Sequence, residues 1–180
     1  TISRNLLEVY ISGSTGFIGT NLYNFFKKKK IKIFLLNRDH LKGIKNFEVS
    51  KNSICIHLAG ESSIKKINEN KGFVSESDQY ISLLDKKGFK KIIYISSAYV
   101  YDDKMDFAHN EEEEVKSKDN YSLLKINAEK VLKNDNCILR VGNIYGNGMK
   151  KNIFIDIFNQ IQSPKIILNS YSEVRDYIYI

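Results

Sequence analysis

The sequence predicts an α/β fold in which a parallel sheet is covered by helices on both faces, a doubly wound arrangement. Apolar runs of strand length alternate along the chain with segments of helical period, the pattern of strands joined by crossover helices. The runs are rich in isoleucine and do not alternate with polar residues, as expected for strands buried on both faces. A glycine-rich turn, residues 13–19, joins the first strand to the first helix.

The elements of the first half follow from these patterns in order. The first strand, residues 6–12, is an apolar run that stops at the glycines. The first helix, residues 17–29, ends in lysines, whose charges complement the helix dipole. Its predicted inward side chains recur at helical spacing; they are Ile18, Leu22, Phe25 and Phe26. Two short apolar runs, residues 31–36 and 53–58, supply the next two strands.

The second half continues the alternation. A helix over residues 76–87 leads to a strand over residues 91–96, and a helix over residues 119–133 follows. The apolar positions of that helix are spaced by three or four residues; they are Tyr121, Leu124, Ala128, Val131 and Leu132. The remaining predictions are a strand over residues 137–141, a helix over residues 152–162 and a strand over residues 165–168.

Length and composition narrow the class of protein. The chain has 180 residues, which corresponds to one ordinary domain, and its 42% hydrophobic content excludes disorder and collagen-like structure. No apolar run approaches the roughly 20 residues of a membrane helix, and the start of the chain is unlike a signal peptide. We therefore expect a cytoplasmic protein without a membrane partner.

Charge and cysteine content argue against two further classes of partner. Lys and Arg number 28 against 21 Asp and Glu, a net charge of +7. The excess is nearly all lysine, either scattered or collected at residues 27–30 at a helix end, so we expect no nucleic acid to bind. Cys55 and Cys137 lie in separate strand-like runs and lack the close spacing and histidine company of a metal or redox pair. We therefore expect no metal site.

The glycine turn is the first candidate binding site. Gly13, Gly16 and Gly19 follow a strand and open a helix, where a tight backbone turn, free N–H groups and the helix dipole can meet a pyrophosphate. This context favours a dinucleotide, although the spacing G-x-x-G-x-x-G differs from the commoner G-x-G-x-x-G. The alternative is an ordinary strand–helix turn whose glycines only permit close packing.

The end of the second strand bears on the cofactor. An acidic residue there binds the ribose hydroxyls of NAD, whereas an arginine accommodates the 2′-phosphate of NADP. The strand leads into Asn37 and Arg38, which favours NADP and leaves NAD possible. In the alternative, Arg38 is an ordinary surface residue and Asp39 takes the acidic role in a slightly shifted register.

A phenol and an ammonium form the candidate catalytic pair. Tyr121 and Lys125 are four residues apart on a predicted helix and therefore share a face. A free phenol has a pKa near 10, too high for a base at neutral pH, and a nearby lysine could lower that pKa. Ser96 and Ser97 end a strand upstream, at the sheet edge where open α/β folds bind ligands.

Taken together, these motifs resemble the extended short-chain dehydrogenase/reductases, specifically the nucleotide-sugar epimerase/dehydratase family. The matching segments keep the family's order over almost the whole chain; they are GSTGFIG at 13–19, HLAG at 57–60, SSAYVY at 96–101, YSLLK at 121–125, LRVGNIYG at 139–146 and RDYIYI at 175–180. The resemblance implies a Rossmann-like domain of an NAD(P)-dependent epimerase, dehydratase or reductase that acts on a nucleotide sugar by hydride transfer.

The resemblance also implies roles for individual residues. Tyr121 would be the general acid/base, Lys125 would lower its pKa and hold the nicotinamide ribose, and Ser97 would hydrogen-bond the same substrate oxygen. Asn143 and Arg175 would contact the phosphates of the sugar nucleotide, although Arg175 could instead be a surface residue paired with Asp176. The implied cofactor-binding residues are Gly13, Thr15, Gly16, Phe17, Ile18, Gly19, Asn37, Arg38, Leu58, Ala59, Gly60, Tyr121, Lys125 and Val141.

Other residues receive structural interpretations. His57 lies inside a strand beside Leu58, which predicts a hydrogen-bonded core imidazole rather than a catalytic one. The resemblance implies a homodimer formed through the helix that carries Tyr121 and the helix over residues 76–87. A rival from another class is a non-catalytic dinucleotide-binding protein, or a pseudoenzyme, on the same fold.

Three features depart from the family pattern. The stretch between Arg38 and Ser53 is shorter than the family usually has, which would reduce the part of the cofactor site that binds adenine. Asp102 stands where the family commonly has a glycine after the Val-Tyr pair. The family normally continues into a carboxyl-terminal lobe that closes over the substrate, and we expect that lobe to be largely missing here. We therefore expect this chain to be the cofactor-binding part, residues 1–180, of a longer enzyme or a truncated product.

Overall fold

The computed structural model describes residues 7–101, 109–132, 135–150, 153–160, 165 and 177–180. Within them the chain forms two compact units, one up to Val141 and one from Gly142 onward. The first unit contains a five-stranded sheet of order β2-β1-β3-β4-β5, in which every neighbouring pair is parallel. The predicted doubly wound sheet is therefore confirmed.

The strands agree closely with the sequence prediction. Their bounds are β1 Glu8–Ser12, β2 Lys32–Leu36, β3 Ser53–His57, β4 Lys91–Ser97 and β5 Cys137–Val141. The helices of this unit are α1 Phe17–Lys28, α2 Arg38–Leu41, α3 Ile64–Glu69, α4 Gly72–Lys86 and α5 Asn120–Val131. The short helices α2 and α3 were not predicted, and α4 begins four residues before the predicted start.

Two clusters of apolar side chains cover the two faces of the sheet. Val9 and Ile11 of β1 pack with Leu22 and Phe26, which lie on α1. The intervening residue Tyr10 belongs to the other cluster, with side chains of α4 and α5. Because successive side chains of a strand point to opposite faces, α1 covers one face while α4 and α5 cover the other.

Two side chains that were predicted to lie on the apolar faces of their helices are partly exposed to solvent. Phe25 on α1 is 52% exposed, and Val131 at the end of α5 is 39% exposed. The apolar stripe of α1 is narrower than predicted, because Leu22 and Phe26 already fill the contact with the sheet. Phe25 packs instead edge-to-face against Phe26, with ring centroids 5.7 Å apart.

The second unit contains the strands β6 Asn143–Tyr145 and β7 Tyr177–Tyr179, which pair in parallel, and the helix α6 Ile153–Gln160. β6 was not predicted, and β7 lies in the apolar run at the end of the sequence. The predicted strand at residues 165–168 lies outside the described residues except for Lys165. Among the helices that the structure describes, none is both long and apolar enough to cross a bilayer.

Candidate active site

The glycine turn between β1 and α1 is closely packed. Gly13 has φ +71°, and a Cβ there would lie 2.7 Å from the backbone of Leu58 and Ala59. A Cβ on Gly19 would lie 2.2 Å from the carbonyl oxygen of Gly13. Two of the three glycines therefore permit the turn to close on itself and on the end of β3, as the alternative interpretation of the motif requires.

Gly16 is less closely packed than the other two glycines, since a Cβ there would lie 3.3 Å from the carbonyl oxygen of Gly13. It is the N-cap of α1, no side chain caps the helix there, and no acidic residue lies in the first turn. Thr15 and Gly16 are exposed, and Phe17 and Ile18 are half-buried. An uncapped helix start with free N–H groups fits the diphosphate of a dinucleotide.

A hydrogen-bonded serine joins the ends of β1 and β3. The Ser12 hydroxyl oxygen accepts from the backbone N–H groups of Leu58 and Ala59, at 3.1 and 3.3 Å, and lies 2.7 Å from Nδ1 of His57. With both lone pairs engaged, the hydroxyl donates its proton to Nδ1. Burial, assisted by the charge on Lys125, lowers the pKa of His57 to about 3. His57 is thus a neutral core imidazole, as predicted.

Lys125 extends from α5 toward the end of β4. Its ammonium donates to the carbonyl oxygen of Ile95 at 2.9 Å and lies 5.1 Å from the ring centroid of Tyr94 and 5.9 Å from that of Tyr121. Burial lowers the pKa of Lys125 to about 8, although the carboxylate of Glu129 acts in the opposite direction. A lysine with this pKa is charged at neutral pH and loses its proton just above it.

Tyr121 and Ser97 meet at the end of β4. The pKa of Tyr121 is raised above its usual value, chiefly by burial; a hydrogen bond with the Ser97 hydroxyl lowers it, and the charge of Asp119 raises it. The expectation that Lys125 brings this pKa down is wrong for the arrangement in the structure. Burial dominates at Tyr121, and the ammonium of Lys125 is directed to a backbone carbonyl.

The start of α5 is held by side chains that orient Tyr121. Asp119 is the N-cap, with a reciprocal capping arrangement to Ser122. Asn68 of α3 donates to the Asp119 carboxylate at 2.7 Å and accepts from the backbone N–H of Tyr121 at 3.0 Å. The ring of Tyr99 packs edge-to-face on Tyr121, with centroids 5.5 Å apart. Sequence analysis missed Asn68, because only the tertiary structure brings α3 to this helix.

The proposed adenosine end of the site lies where β2 meets α2. Asn37 caps α2: its side chain accepts from the backbone N–H of His40 at 3.2 Å. Arg38, the first residue of α2, is exposed, and its charge acts to lower the pKa of Tyr80 on α4. Asp39 lies in the first turn of the same helix.

The other predicted cofactor and substrate residues fall in three places. Leu58, Ala59 and Gly60 follow β3, and Val141 ends β5 in register with Ser97. Asn143 begins β6 in the second unit, and Arg175 lies outside the described residues. Within the described part of the chain, no three His, Cys, Asp or Glu side chains cluster as metal ligands would.

A family model for the NAD dependent epimerase/dehydratase family matches residues 9–180. The chain belongs to this family. The matched residues include the glycine turn, the end of β4 and α5. A search of curated proteins found no match.

Solved structures share the fold of this epimerase/dehydratase family member at low sequence identity. A UDP-N-acetylglucosamine 4-epimerase from Bacillus cereus is 23% identical, with a TM-score of 0.71, and covers 96% of this chain. RMD from Pseudomonas aeruginosa, complexed with NADPH, is 19% identical with a TM-score of 0.78 and the same 96% coverage. DesIV, a dTDP-glucose 4,6-dehydratase from Streptomyces venezuelae with NAD bound, is 15% identical with a TM-score of 0.73, again with 96% coverage.

The family member described here is shorter than these three proteins. It spans 67%, 69% and 68% of their respective lengths. The likeness therefore covers the cofactor-binding fold and about two thirds of each of these chains.

Besides Asn68, two further residues of the site were missed, although the sequence carries a signal for one of them. Glu129 follows Lys125 by four residues on α5, so helical spacing alone puts it on the face of Tyr121 and Lys125. Arg140, on β5, forms an ion pair with Glu129 at 2.8 Å. Nothing in the local sequence indicates that contact, because it joins a helix to a neighbouring strand.

Proposed function

We propose that this chain is the cofactor-binding part of an NAD(P)-dependent enzyme that acts on a nucleotide sugar as an epimerase, dehydratase or reductase. The observation that carries the proposal is the meeting of Tyr121, Ser97 and Lys125 at the carboxyl end of β4: the Ser97 hydroxyl acts to lower the pKa of Tyr121, and the Lys125 ammonium lies 5.9 Å from the Tyr121 ring. A phenol, a hydroxyl and an ammonium at the ligand-binding edge of a parallel sheet suit proton transfer at a sugar oxygen.

In this proposal the nicotinamide, when bound, accepts or returns a hydride at the sugar carbon. Tyr121 moves the coupled proton at the sugar oxygen, and the Ser97 hydroxyl donates a hydrogen bond to that oxygen. A raised pKa keeps Tyr121 protonated at neutral pH, which suits proton donation to a keto oxygen. In the oxidative direction, the Ser97 hydroxyl favours the phenolate, because it acts to lower the pKa of Tyr121.

We propose that the cofactor is NADP, with NAD as the alternative. Arg38 follows β2 and is exposed, so its guanidinium can reach a 2′-phosphate, and the planar fork of arginine suits phosphate recognition. Replacing Arg38 with Gln is expected to weaken NADPH binding about tenfold or more and to leave NADH binding within about twofold. Fluorescence titration with both reduced cofactors measures this. Saturation by NADH alone in the unmodified chain would exclude the NADP preference and favour Asp39 as the ribose ligand.

The catalytic role of Tyr121 is tested by replacing it with Phe, with Tyr23→Phe on α1 as the matched control. Turnover of a panel of UDP-, GDP- and dTDP-sugars is expected to fall at least about 100-fold in Tyr121→Phe, because general acid/base catalysis contributes at this level. Cofactor affinity should be retained, since the aromatic ring remains. The rival, a non-catalytic dinucleotide-binding protein, predicts cofactor binding without turnover in either variant or in the unmodified chain.

We also propose a homodimer formed through α4 and α5. Leu123 and Val131 on α5 are 36% and 39% exposed, which leaves apolar surface on this helix for a second copy. Light scattering of the purified chain measures the mass, and a monomer at micromolar concentration would contradict this proposal.

A further inference from the structure

Three side chains on one stripe of α5 hold the end of β4. Tyr121, Lys125 and Glu129 are spaced by four residues and therefore lie on one side of the helix. The Lys125 ammonium donates to the Ile95 carbonyl at 2.9 Å. The hydroxyl of Ser96 donates to a carboxylate oxygen of Glu129 at 2.5 Å. Ile95 and Ser96 of β4 are thus each bonded to α5, and the next residue, Ser97, acts to lower the pKa of Tyr121.

Glu129 is also fixed from the neighbouring strand. The Arg140 guanidinium donates to both of its carboxylate oxygens, with Nη2 to Oε2 at 2.8 Å and Nε to the two oxygens at 3.3 and 3.2 Å. The side chains of Glu129 and Arg140 are only 7% and 18% exposed. Arg140 lies in register with Ser96 across the β4–β5 pair. One carboxylate therefore connects α5, β4 and β5.

Arg140 extends the connection to the segment that follows β4. It donates to the hydroxyl of Tyr101 at 3.0 Å and to the carbonyl oxygen of Glu111 at 3.1 Å. A buried ion pair adds little stability compared with apolar residues of the same size, even when its hydrogen bonds are satisfied. The ion pair between Glu129 and Arg140 instead fixes geometry: it constrains where Ser97 lies relative to Tyr121 and Lys125.

The charge of Glu129 matters for Lys125 as well. The groups that face the ammonium are Tyr94 of β4, Tyr121 and Glu129 of α5, and His57 of β3. His57 is neutral at ordinary pH and the two tyrosines carry no charge there. Glu129 is therefore the anionic group among these four, and it favours the protonated form of Lys125.

We propose that Glu129, braced by Arg140 and Ser96, is a positioning residue that holds Lys125 and the end of β4 in register with Tyr121. The inference rests on the proposed function, because the register matters for catalysis only if these residues act on a substrate. It assigns Glu129 no contact with substrate or cofactor.

The first experiment measures the titration of Lys125 in the full chain and needs no turnover. Replacing both partners, Glu129→Gln with Arg140→Gln, removes the carboxylate without leaving a buried unpaired charge. In ¹⁵N-lysine-labelled protein the Nζ signal of Lys125 is identified by its loss in Lys125→Met. Its titration midpoint is expected to fall by about 0.5 pH unit in the double variant, because the loss of the Arg140 charge offsets part of the effect of losing the Glu129 carboxylate. Glu69→Gln, which removes an exposed carboxylate of α3, is the matched control and should leave the midpoint unchanged.

The second experiment replaces Ser96 with Ala, which keeps both charges and removes only the link to β4. The Lys125 midpoint should stay within about 0.2 pH unit of the unmodified chain, while kcat falls about tenfold at unchanged cofactor affinity.

An unmoved Lys125 midpoint in a folded double variant would overturn the proposal, as would full kcat in Ser96→Ala. If the proposed function is wrong, neither the unmodified protein nor any variant turns over a nucleotide sugar, but the titration midpoint of Lys125 still falls in the double variant. If the double variant does not fold, the kcat of Ser96→Ala decides the matter.

Discussion

At the scale of single residues, Lys125 shows a conflict between stability and the proposed chemistry. Its side chain is surrounded by β4 and α5, and burial lowers its pKa from 10.5 to about 8. The fold therefore disfavours the charged form at neutral pH relative to the unfolded chain. Function would require that charge beside the nicotinamide ribose, so the residue is retained at a cost in stability.

Lys125→Met is expected to raise the free energy of unfolding at pH 7 by about 1–2 kcal/mol, discounted for residual exposure. The unfolded chain binds more protons than the fold between about pH 8 and 10.5, so this group's unfavourable contribution fades as the pH rises through that window. The gain from Met should therefore shrink at pH 10. Denaturant unfolding at the two pH values measures it, with the exposed Lys130→Met as control. A less stable Lys125→Met would contradict the account.

At the scale of elements, the glycine turn has a packing role and a proposed binding role. The packing role belongs to Gly13 and Gly19, because a Cβ at either position would lie within 3 Å of backbone atoms. The proposed binding role belongs to the start of α1, which Gly16 leaves uncapped. The two interpretations of the motif are therefore compatible, because they concern different glycines.

Gly19→Ala is expected to lower the free energy of unfolding by at least about 2 kcal/mol and to weaken cofactor binding strongly. The new methyl group would lie 2.2 Å from the carbonyl oxygen of Gly13, and a backbone atom cannot move aside without displacing the turn. Gly72→Ala is the control, since its methyl group meets only the side chain of Asn70, at 3.0 Å. Thermal unfolding and NADPH titration report the two effects. Unchanged values of both in Gly19→Ala would refute the close packing.

At the scale of the whole molecule, the buried His57 makes the stability of the fold depend on pH in the acid range. It is 1% exposed, at the end of β3, and stacks on Tyr94 of β4 with ring centroids 5.9 Å apart. Its pKa is lowered from 6.5 to about 3, chiefly by burial. Below pH 6.5 the His57 imidazole therefore binds a proton in the unfolded chain but stays neutral in the folded chain until about pH 3.

Between pH 7 and pH 5 this group is expected to remove about 2 kcal/mol from the free energy of unfolding. The loss begins below the unfolded pKa and continues toward pH 3. His57→Asn should flatten this dependence strongly, whereas His40→Gln should flatten it less, because burial also lowers the pKa of His40 but that side chain is partly exposed. Urea unfolding at several pH values gives the slopes. Equal slopes in the unmodified chain and in His57→Asn would rule out a buried neutral imidazole.

For the whole molecule, local sequence patterns predicted some secondary-structure elements and side-chain exposures but not others. The strands, α1, α5 and the glycine turn were predictable, because apolar period and glycine spacing are local signals. The short helices α2 and α3 carry too few residues for a period. The exposure of Phe25 could not be predicted either, since the width of the contact with the sheet depends on its neighbours.

The sequence by itself determined the doubly wound sheet, the edge at which Ser97, Tyr121 and Lys125 meet, and the membership of the epimerase/dehydratase family. The tertiary structure decided the protonation chemistry: burial raises the pKa of Tyr121 and lowers that of Lys125. It also brought Asn68 of α3 and Arg140 of β5 to the site from separate elements. The physical reason is that secondary structure follows from short-range patterns, whereas desolvation and ion pairing depend on which distant segments exclude water together.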